Sequence, residues 1–262
     1  MKKYILATAL IGGIVATYGF VKTSDATTGE KASQGNVLTP GQEKEVENII
    51  QTYLKENPKG VMQAVEAAMT LTQLEEQQKL QQAVADNQDK LFKDARSPIG
   101  GNPQGKEELV VFMDPYCGFC KKFHSELDKA LESNTDLKVV FKDIAIMGPG
   151  SNIAVLAMLA AAKQGKYKEM QEKVFEASDR LSKKELLREA TVAGLNAKTL
   201  EQDMDSEDVR KLAEDTMTLA KDLGVNGTPT FIIGETVHPG FVPADQLNQL
   251  LKGQGQTSAQ QG

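Results

Sequence analysis

Apolar residues follow three rhythms along this chain. Residues 4–21 form a largely apolar stretch behind Lys2 and Lys3, which is the charge-then-apolar order of a secretory signal. From Val46 the rhythm changes to a 3,4 spacing through Ile49, Ile50, Tyr53 and Leu54, which predicts one apolar stripe on a helix. Thr39 can cap that helix, Pro40 suits its first position, and Gln42 completes a capping box. Asn57-Pro58 ends it and opens a second helical stretch over residues 58–94. The centre of that stretch, residues 75–82, is almost wholly polar, so it need not lie on a core of its own. The turn-rich residues 97–103 mark a boundary. Beyond it, short runs dominated by apolar residues at 108–113, 137–141 and 231–233 predict buried strands, and residues 236–238 start a return strand. Residues 151–223 read as almost all helix, with Ser182 and Glu185 forming a capping box and Gly224 ending the last helix. A final helix opens near Ala244 and Asp245 and carries Leu247, Leu250 and Leu251.

This pattern divides the chain into a signal peptide over residues 1–26, a flexible lead-in over 27–38, and a helical arm and linker over 39–96. A main domain follows over 104–252, with a helical insertion over about 151–223. Residues 253–262 are low in complexity and expected to be disordered. Small residues at Ser24 and Ala26 suit cleavage after Ala26, and an uncleaved anchor of the same orientation is the alternative. Either way the body is exported to a compartment that permits disulfides. A short amphipathic helix is marginal alone, so the arm must dock somewhere. Packing on the main domain is one option. A second copy of the chain, giving a homodimer, is the expectation.

Composition narrows the function. The chain has 262 residues with formal net charge -6, and loss of residues 1–26, which carry three lysines and one aspartate, would take it to -8. A broad basic surface for nucleic acid is not indicated. With no tryptophan and 5% aromatics, a β-propeller or a large aromatic carbohydrate groove is a poor fit. Two cysteines and two histidines rule out a four-cysteine zinc site within one chain and a multi-bridge disulfide scaffold.

The two cysteines stand as Cys117-Gly118-Phe119-Cys120, directly after the 108–113 strand and at the start of a helical pattern through Leu127 and Leu131. Cys117 then falls at a helix N-terminus with its sulfur exposed, where unpaired N–H groups and the helix dipole favour a thiolate. Cys120 falls one turn in and is less accessible. Lys121 and Lys122 add positive potential. Two intervening residues let a small disulfide ring close and reopen, which suits thiol–disulfide exchange. As half a zinc site the pair would need His124 and His238, which otherwise read as a helix-surface residue and a turn residue. As a purely structural bridge it would close a very small loop for little entropic gain.

Gly227-Thr228-Pro229-Thr230 stands directly before the 231–233 strand. With this and the Cys117–Cys120 motif both in view, the chain resembles the DsbA-like thioredoxin-fold oxidoreductases of the bacterial periplasm. Within them it is most similar to outer-membrane or periplasmic proteins with an N-terminal helical region. The resemblance covers about residues 39–251. It implies an α/β thioredoxin fold with an inserted helical subdomain, preceded by the helical arm. It also implies that Cys117 attacks, Cys120 resolves and Pro229 is a cis proline, with Thr228, Pro229, Gly118 and Phe119 meeting substrate. No cofactor or metal is implied. The implied partners are unfolded or misoxidised exported proteins and a membrane oxidase or reductase. The implied location is the periplasm, with membrane or cell-surface association an open alternative. Strongly oxidising members carry proline and histidine between the cysteines. Phe119 supplies no charge, so a less acidic Cys117 is expected here. Thr228 resembles the residue before the cis proline in periplasmic isomerases, and dimeric isomerases also carry N-terminal arms. These signals lean towards an isomerase or bifunctional enzyme, with a dedicated oxidase or a non-enzymatic chaperone as the alternatives.

Overall fold

A computed structural model describes residues 38–258. The expected signal peptide and nearly all of the lead-in lie outside the described residues. The described residues divide into two compact units, with the boundary between Val61 and Met62.

In the first unit, helix α1 (Pro40–Glu56) starts with the expected capping box: Thr39 accepts from Gln42 N–H, and Gln42 reaches back to the Thr39 N–H. None of its residues is buried, and Ile49 and Tyr53 are 63% and 62% exposed. Helix α2 (Pro58–Asp86) starts in the first unit and belongs to the second from Met62 on. Its residues Met62, Val65, Met69, Leu71 and Leu74 are also exposed.

The stretch read as one helix to residue 94 breaks at Asn87. The Asn87 amide side chain donates to the Ala83 carbonyl at 2.9 Å, a local bond that competes with the backbone ladder. Helix α3 (Gln88–Phe92) follows. Val84, Leu91 and Phe92 are buried in the second unit's core.

The second unit is built on a five-stranded sheet in the order β1-β3-β2-β4-β5. Its strands are β1 (Ile99–Gly101), β2 (Glu107–Met113), β3 (Leu137–Asp143), β4 (Thr230–Ile233) and β5 (Thr236–Pro239). Strands β2 and β3 are parallel, with Val111 opposite Phe141, and the other pairs are antiparallel. Side chains alternate across the sheet. Leu109, Val111 and Met113 enter one core, and Val110 and Phe112 enter the other. Helices α4 (Gly118–Ser133) and α10 (Ala244–Ser258) contribute to the first core. Leu219, Ala220 and Leu223, at the end of helix α9 (Glu207–Asp222), enter the second. Each large side chain buried this way contributes roughly 1.5–3 kcal/mol. The insertion comprises α5 (Pro149–Lys163), α6 (Tyr167–Glu176), α7 (Lys183–Val192), α8 (Ala197–Met204) and α9.

Two segments depart from the sequence expectation. Residues 97–103, read as boundary turns, contain β1, so the sheet begins ahead of residue 104. The edge strand is glycine-rich because there is no room for side chains. A Cβ on Gly100 would lie 2.8 Å from the Phe141 ring, and Gly101 has φ +73 with its Cβ position 2.3 Å from the Leu137 carbonyl oxygen. The tail also departs. Helix α10 runs to Ser258, past residue 253, because an established helix extends more readily than it starts.

Candidate active site

Strand β2 delivers the chain to Asp114, Pro115 and Tyr116, and α4 then begins with Cys117 at its N-cap. Asp114 is fully buried and holds this junction. Its Oδ1 accepts from Tyr116 N–H and the Ser151 hydroxyl, both at 2.8 Å. Its Oδ2 accepts from the N–H groups of Ile146 and Met147 at 2.8 and 2.9 Å. Four donors satisfy the carboxylate and tie the strand end to the loop before α5. Sequence reasoning passed over Asp114, although an aspartate closing a buried strand and preceding proline was a visible signal.

Cys117 is half-buried and Cys120 fully buried, and both are free thiols. The Thr228–Pro229 peptide is cis. The Cys117 thiol donates to the Thr228 carbonyl at 3.2 Å. Burial pushes the Cys117 thiol up, but hydrogen bonding from Thr228, Cys120 and the Phe119 N–H outweighs it and leaves the group below the ordinary thiol value. The Thr228 hydroxyl is buried and otherwise unpartnered, which makes it an available donor once the sulfur is ionised. Burial drives the Cys120 thiol far upward. Hydrogen bonding thus favours the thiolate at Cys117, and burial favours the neutral thiol at Cys120.

The two halves of the site are joined by a column of rings. Phe123 of α4 stacks on Phe231 of β4 at 5.6 Å, and Phe231 stacks on His238 of β5 at 5.0 Å. His238 thus lies in a strand. His124 is not a plain surface residue either. It stacks on Phe175 at 4.8 Å, and its Nε2 lies 3.2 Å from Gln171 Oε1. Its Nδ1 lies 3.4 Å from Asp128 Oδ2 on the same helix, whereas Phe175 and Gln171 come from α6, which its own helix does not reveal. Among the described residues no group of three or more His, Cys, Asp or Glu side chains is placed to hold a metal. Of the other expected contact residues, Gly118 and Phe119 are exposed, Phe119 at 60%. Pro229 presents its carbonyl to the Gly240 N–H at 2.8 Å.

A second buried acid lies at the end of β3. Asp143 Oδ2 accepts from the Tyr167 hydroxyl at 2.7 Å, and that hydroxyl accepts from Gln171 at 2.9 Å. Burial pushes Asp143 up to about 7, against the pull of the Tyr167 bond.

The model of the DsbA-like thioredoxin domain matches residues 108–252, which is 145 of the 262 residues. The chain belongs to the DsbA-like thioredoxin family. A linker-deletion mutant of Proteus mirabilis ScsC superposes with a TM-score of 0.64 at 26% identity, covering 86% of this chain and all of that one. A thioredoxin-like oxidoreductase from Silicibacter pomeroyi gives 0.62 at 33% identity, covering 65% of this chain and 98% of that one. Among curated proteins, a Na(+)/H(+) antiporter NhaA 1 of Mycobacterium is 29% identical over 163 residues. Those residues are 60% of this chain, and the chain spans about a quarter (26%) of that relative's length. Nothing of ion transport carries over from so partial a match, and among the described residues no helix is long and apolar enough to cross a membrane. The DsbA-like family is one of thiol–disulfide oxidoreductases, and the fold matches it.

Proposed function

We propose that this protein catalyses thiol–disulfide exchange on exported proteins through Cys117 and Cys120, as a disulfide isomerase or bifunctional enzyme. The observation that carries this reading is the contrast between the two sulfurs: one half-buried with its pKa lowered, the other sealed in the core, both on one helix facing the Thr228–Pro229 loop.

In isomerisation, the Cys117 thiolate attacks a wrong substrate disulfide, forming a Cys117–substrate disulfide and releasing one substrate thiolate. That thiolate re-pairs elsewhere in the substrate. Alternatively, Cys120 loses its proton, attacks the Cys117 sulfur and releases the substrate reduced. In the oxidative direction, a substrate thiolate attacks the Cys117 sulfur of the Cys117–Cys120 disulfide and expels Cys120. A second substrate thiol then displaces Cys117, leaving both cysteines reduced. Gly118, Phe119, Thr228 and Pro229 contact the substrate, with exposed Phe119 offering apolar area. Ile146 and Met147, held by Asp114, extend that area.

The secretory pattern at residues 1–26 supports a periplasmic location, where a membrane redox partner resets the cysteine pair. The exposed apolar stripe of α1 supports assembly through the arm into a homodimer. The dedicated-oxidase reading draws on the lowered Cys117 pKa, since stabilising the reduced form makes a disulfide more oxidising.

The deciding test is reactivation of a scrambled-disulfide substrate by full-length protein in a fixed glutathione buffer, with Cys117→Ala as control. Reactivation well above the control is expected. Rapid oxidation of a reduced substrate without reactivation would make the protein an oxidase. Failure of a Cys120→Ala variant to accumulate mixed disulfides with envelope proteins would favour a chaperone instead.

A further inference from the structure

Both aromatic side chains that flank Cys117 carry a cation. The Arg180 guanidinium lies 5.8 Å over the Tyr116 ring, and Lys122 Nζ lies 5.5 Å over the Phe119 ring. Tyr116 immediately precedes Cys117, and Phe119 follows it by two positions. A third cation, Lys121, is anchored by its Nζ to the Ala177 carbonyl. This last bond and the Leu181 N–H donated to the Tyr116 hydroxyl at 2.9 Å fix the 177–181 loop against α4. Arg180 also packs on Gly150, whose Cβ position lies 3.4 Å from Arg180 Cδ.

None of these cations has a carboxylate within ion-pair distance among the described residues, although the chain as a whole is acidic at -6. Arg180 and the acids nearest it, Glu176, Asp179, Glu185 and Glu189, line one hollow of about 360 Å³, and each acid has another partner. Glu176 pairs with Lys173, Glu189 with Arg188, Glu185 caps Ser182, and Asp179 accepts from Ser178. Arg180 is thus left without an ion pair of its own while its guanidinium lies over the Tyr116 ring next to the cysteine. Arg180 and Lys122 are exposed, so they are open to an incoming partner.

The geometry points to Arg180 and Lys122 as specificity-determining residues that select cysteine-bearing polypeptide segments carrying carboxylates beside the reacting sulfur. This rests on the exchange chemistry proposed above and names the substrate class for that site. An aromatic ring under each cation holds it in place while leaving its outer face free for an anion. Opposite charges about 7 Å apart in water change an encounter rate by about threefold at low salt, and salt removes the effect.

The test uses reduced full-length protein and three small disulfides: dianionic 5,5′-dithiobis(2-nitrobenzoate), neutral 4,4′-dithiodipyridine and dicationic cystamine. The readout is the dianion-to-dication rate ratio, normalised to the neutral probe, which reports any shared change in Cys117 reactivity. Arg180→Ala and Lys122→Ala are each expected to lower the normalised ratio about threefold or more at low ionic strength. Arg180→Lys should restore most of it, and high salt should bring all proteins together. An equal ratio in the parent and the alanine variants, a failure of Arg180→Lys to restore it, or insensitivity to salt would overturn the inference. No reaction of the parent with the neutral probe would instead overturn the exchange reading beneath it, a distinct failure.

Discussion

Cys117 and Thr228 are 111 positions apart in the chain, yet the Cys117 sulfur lies 3.2 Å from the Thr228 carbonyl oxygen. The thiol donates to that carbonyl. The thiolate instead gains from the Thr228 hydroxyl and the first N–H groups of α4. Thr228→Val keeps the shape and the carbonyl but removes the hydroxyl. The Cys117 pKa should rise, shifting the pH profile of alkylation to higher pH and slowing the reaction several-fold at neutral pH. An unchanged profile would remove Thr228 from the set of groups that stabilise the thiolate.

Burial should separate the two sulfurs kinetically. In the native reduced protein, iodoacetamide should modify Cys117 on the order of a hundredfold faster than Cys120, because Cys120 is fully buried. Peptide mapping after timed labelling reads this directly. Comparable rates at both positions would refute it.

Asp143 links stability to pH. Its value is pushed up to about 7 from an ordinary 3.8. Between those values the folded chain keeps a proton that the unfolded chain has lost, so stability falls as pH rises through that window and levels off above it. Asp143→Asn cannot ionise and retains an acceptor for the Tyr167 hydroxyl. The variant should therefore gain on the parent from about pH 4 to about pH 7, by up to about 4 kcal/mol. Urea unfolding across that range checks it, and parallel curves for the two proteins would refute it.

The edge strand should tolerate no side chain at its end. Gly101→Ala forces a residue with a Cβ into φ +73 and sets that Cβ 2.3 Å from a backbone oxygen. A loss of about 2–4 kcal/mol is expected from denaturant titration. A loss under about 0.5 kcal/mol would mean that β1 moves aside freely.

The arm is best tested without truncation, because Val84, Leu91 and Phe92 belong to the second unit's core. Ile49→Glu with Tyr53→Glu places charge on the exposed stripe of α1 alone. The particle mass in solution should fall to that of one chain while thermal unfolding of the thioredoxin domain stays put. An unchanged mass would refute assembly through this face.

Much of this architecture is legible in the sequence wherever one segment carries its own signal. Strands β2, β3 and β4 each carry an apolar stretch of three to five residues, Leu109–Met113, Val139–Phe141 and Phe231–Ile233, as expected of strands buried on both faces. The caps at Thr39 and Ser182 are local pairs three residues apart. The Cys117–Cys120 motif and Thr228–Pro229 can each be read alone, although only the fold brings them together. What escapes is whatever depends on a partner far along the chain. Strand β1 exists because Gly100 fits against Phe141, and glycines by themselves read as a turn. His124 meets Gln171 from 47 positions away. Arg180 reaches Tyr116 through a loop whose path no local pattern specifies.

The column Phe123–Phe231–His238 has a consequence for how this enzyme can vary. Phe123 lies three residues after Cys120, and Phe231 two residues after Pro229. Ring thickness therefore acts as a gauge block between two parts that were made separately in the chain. A site assembled this way has its tolerance set by residues that never meet a substrate. Changes to the rings should detune the enzyme as surely as changes to the sulfurs, and the exposed rim is left as the place where partner choice can drift without upsetting the machine behind it.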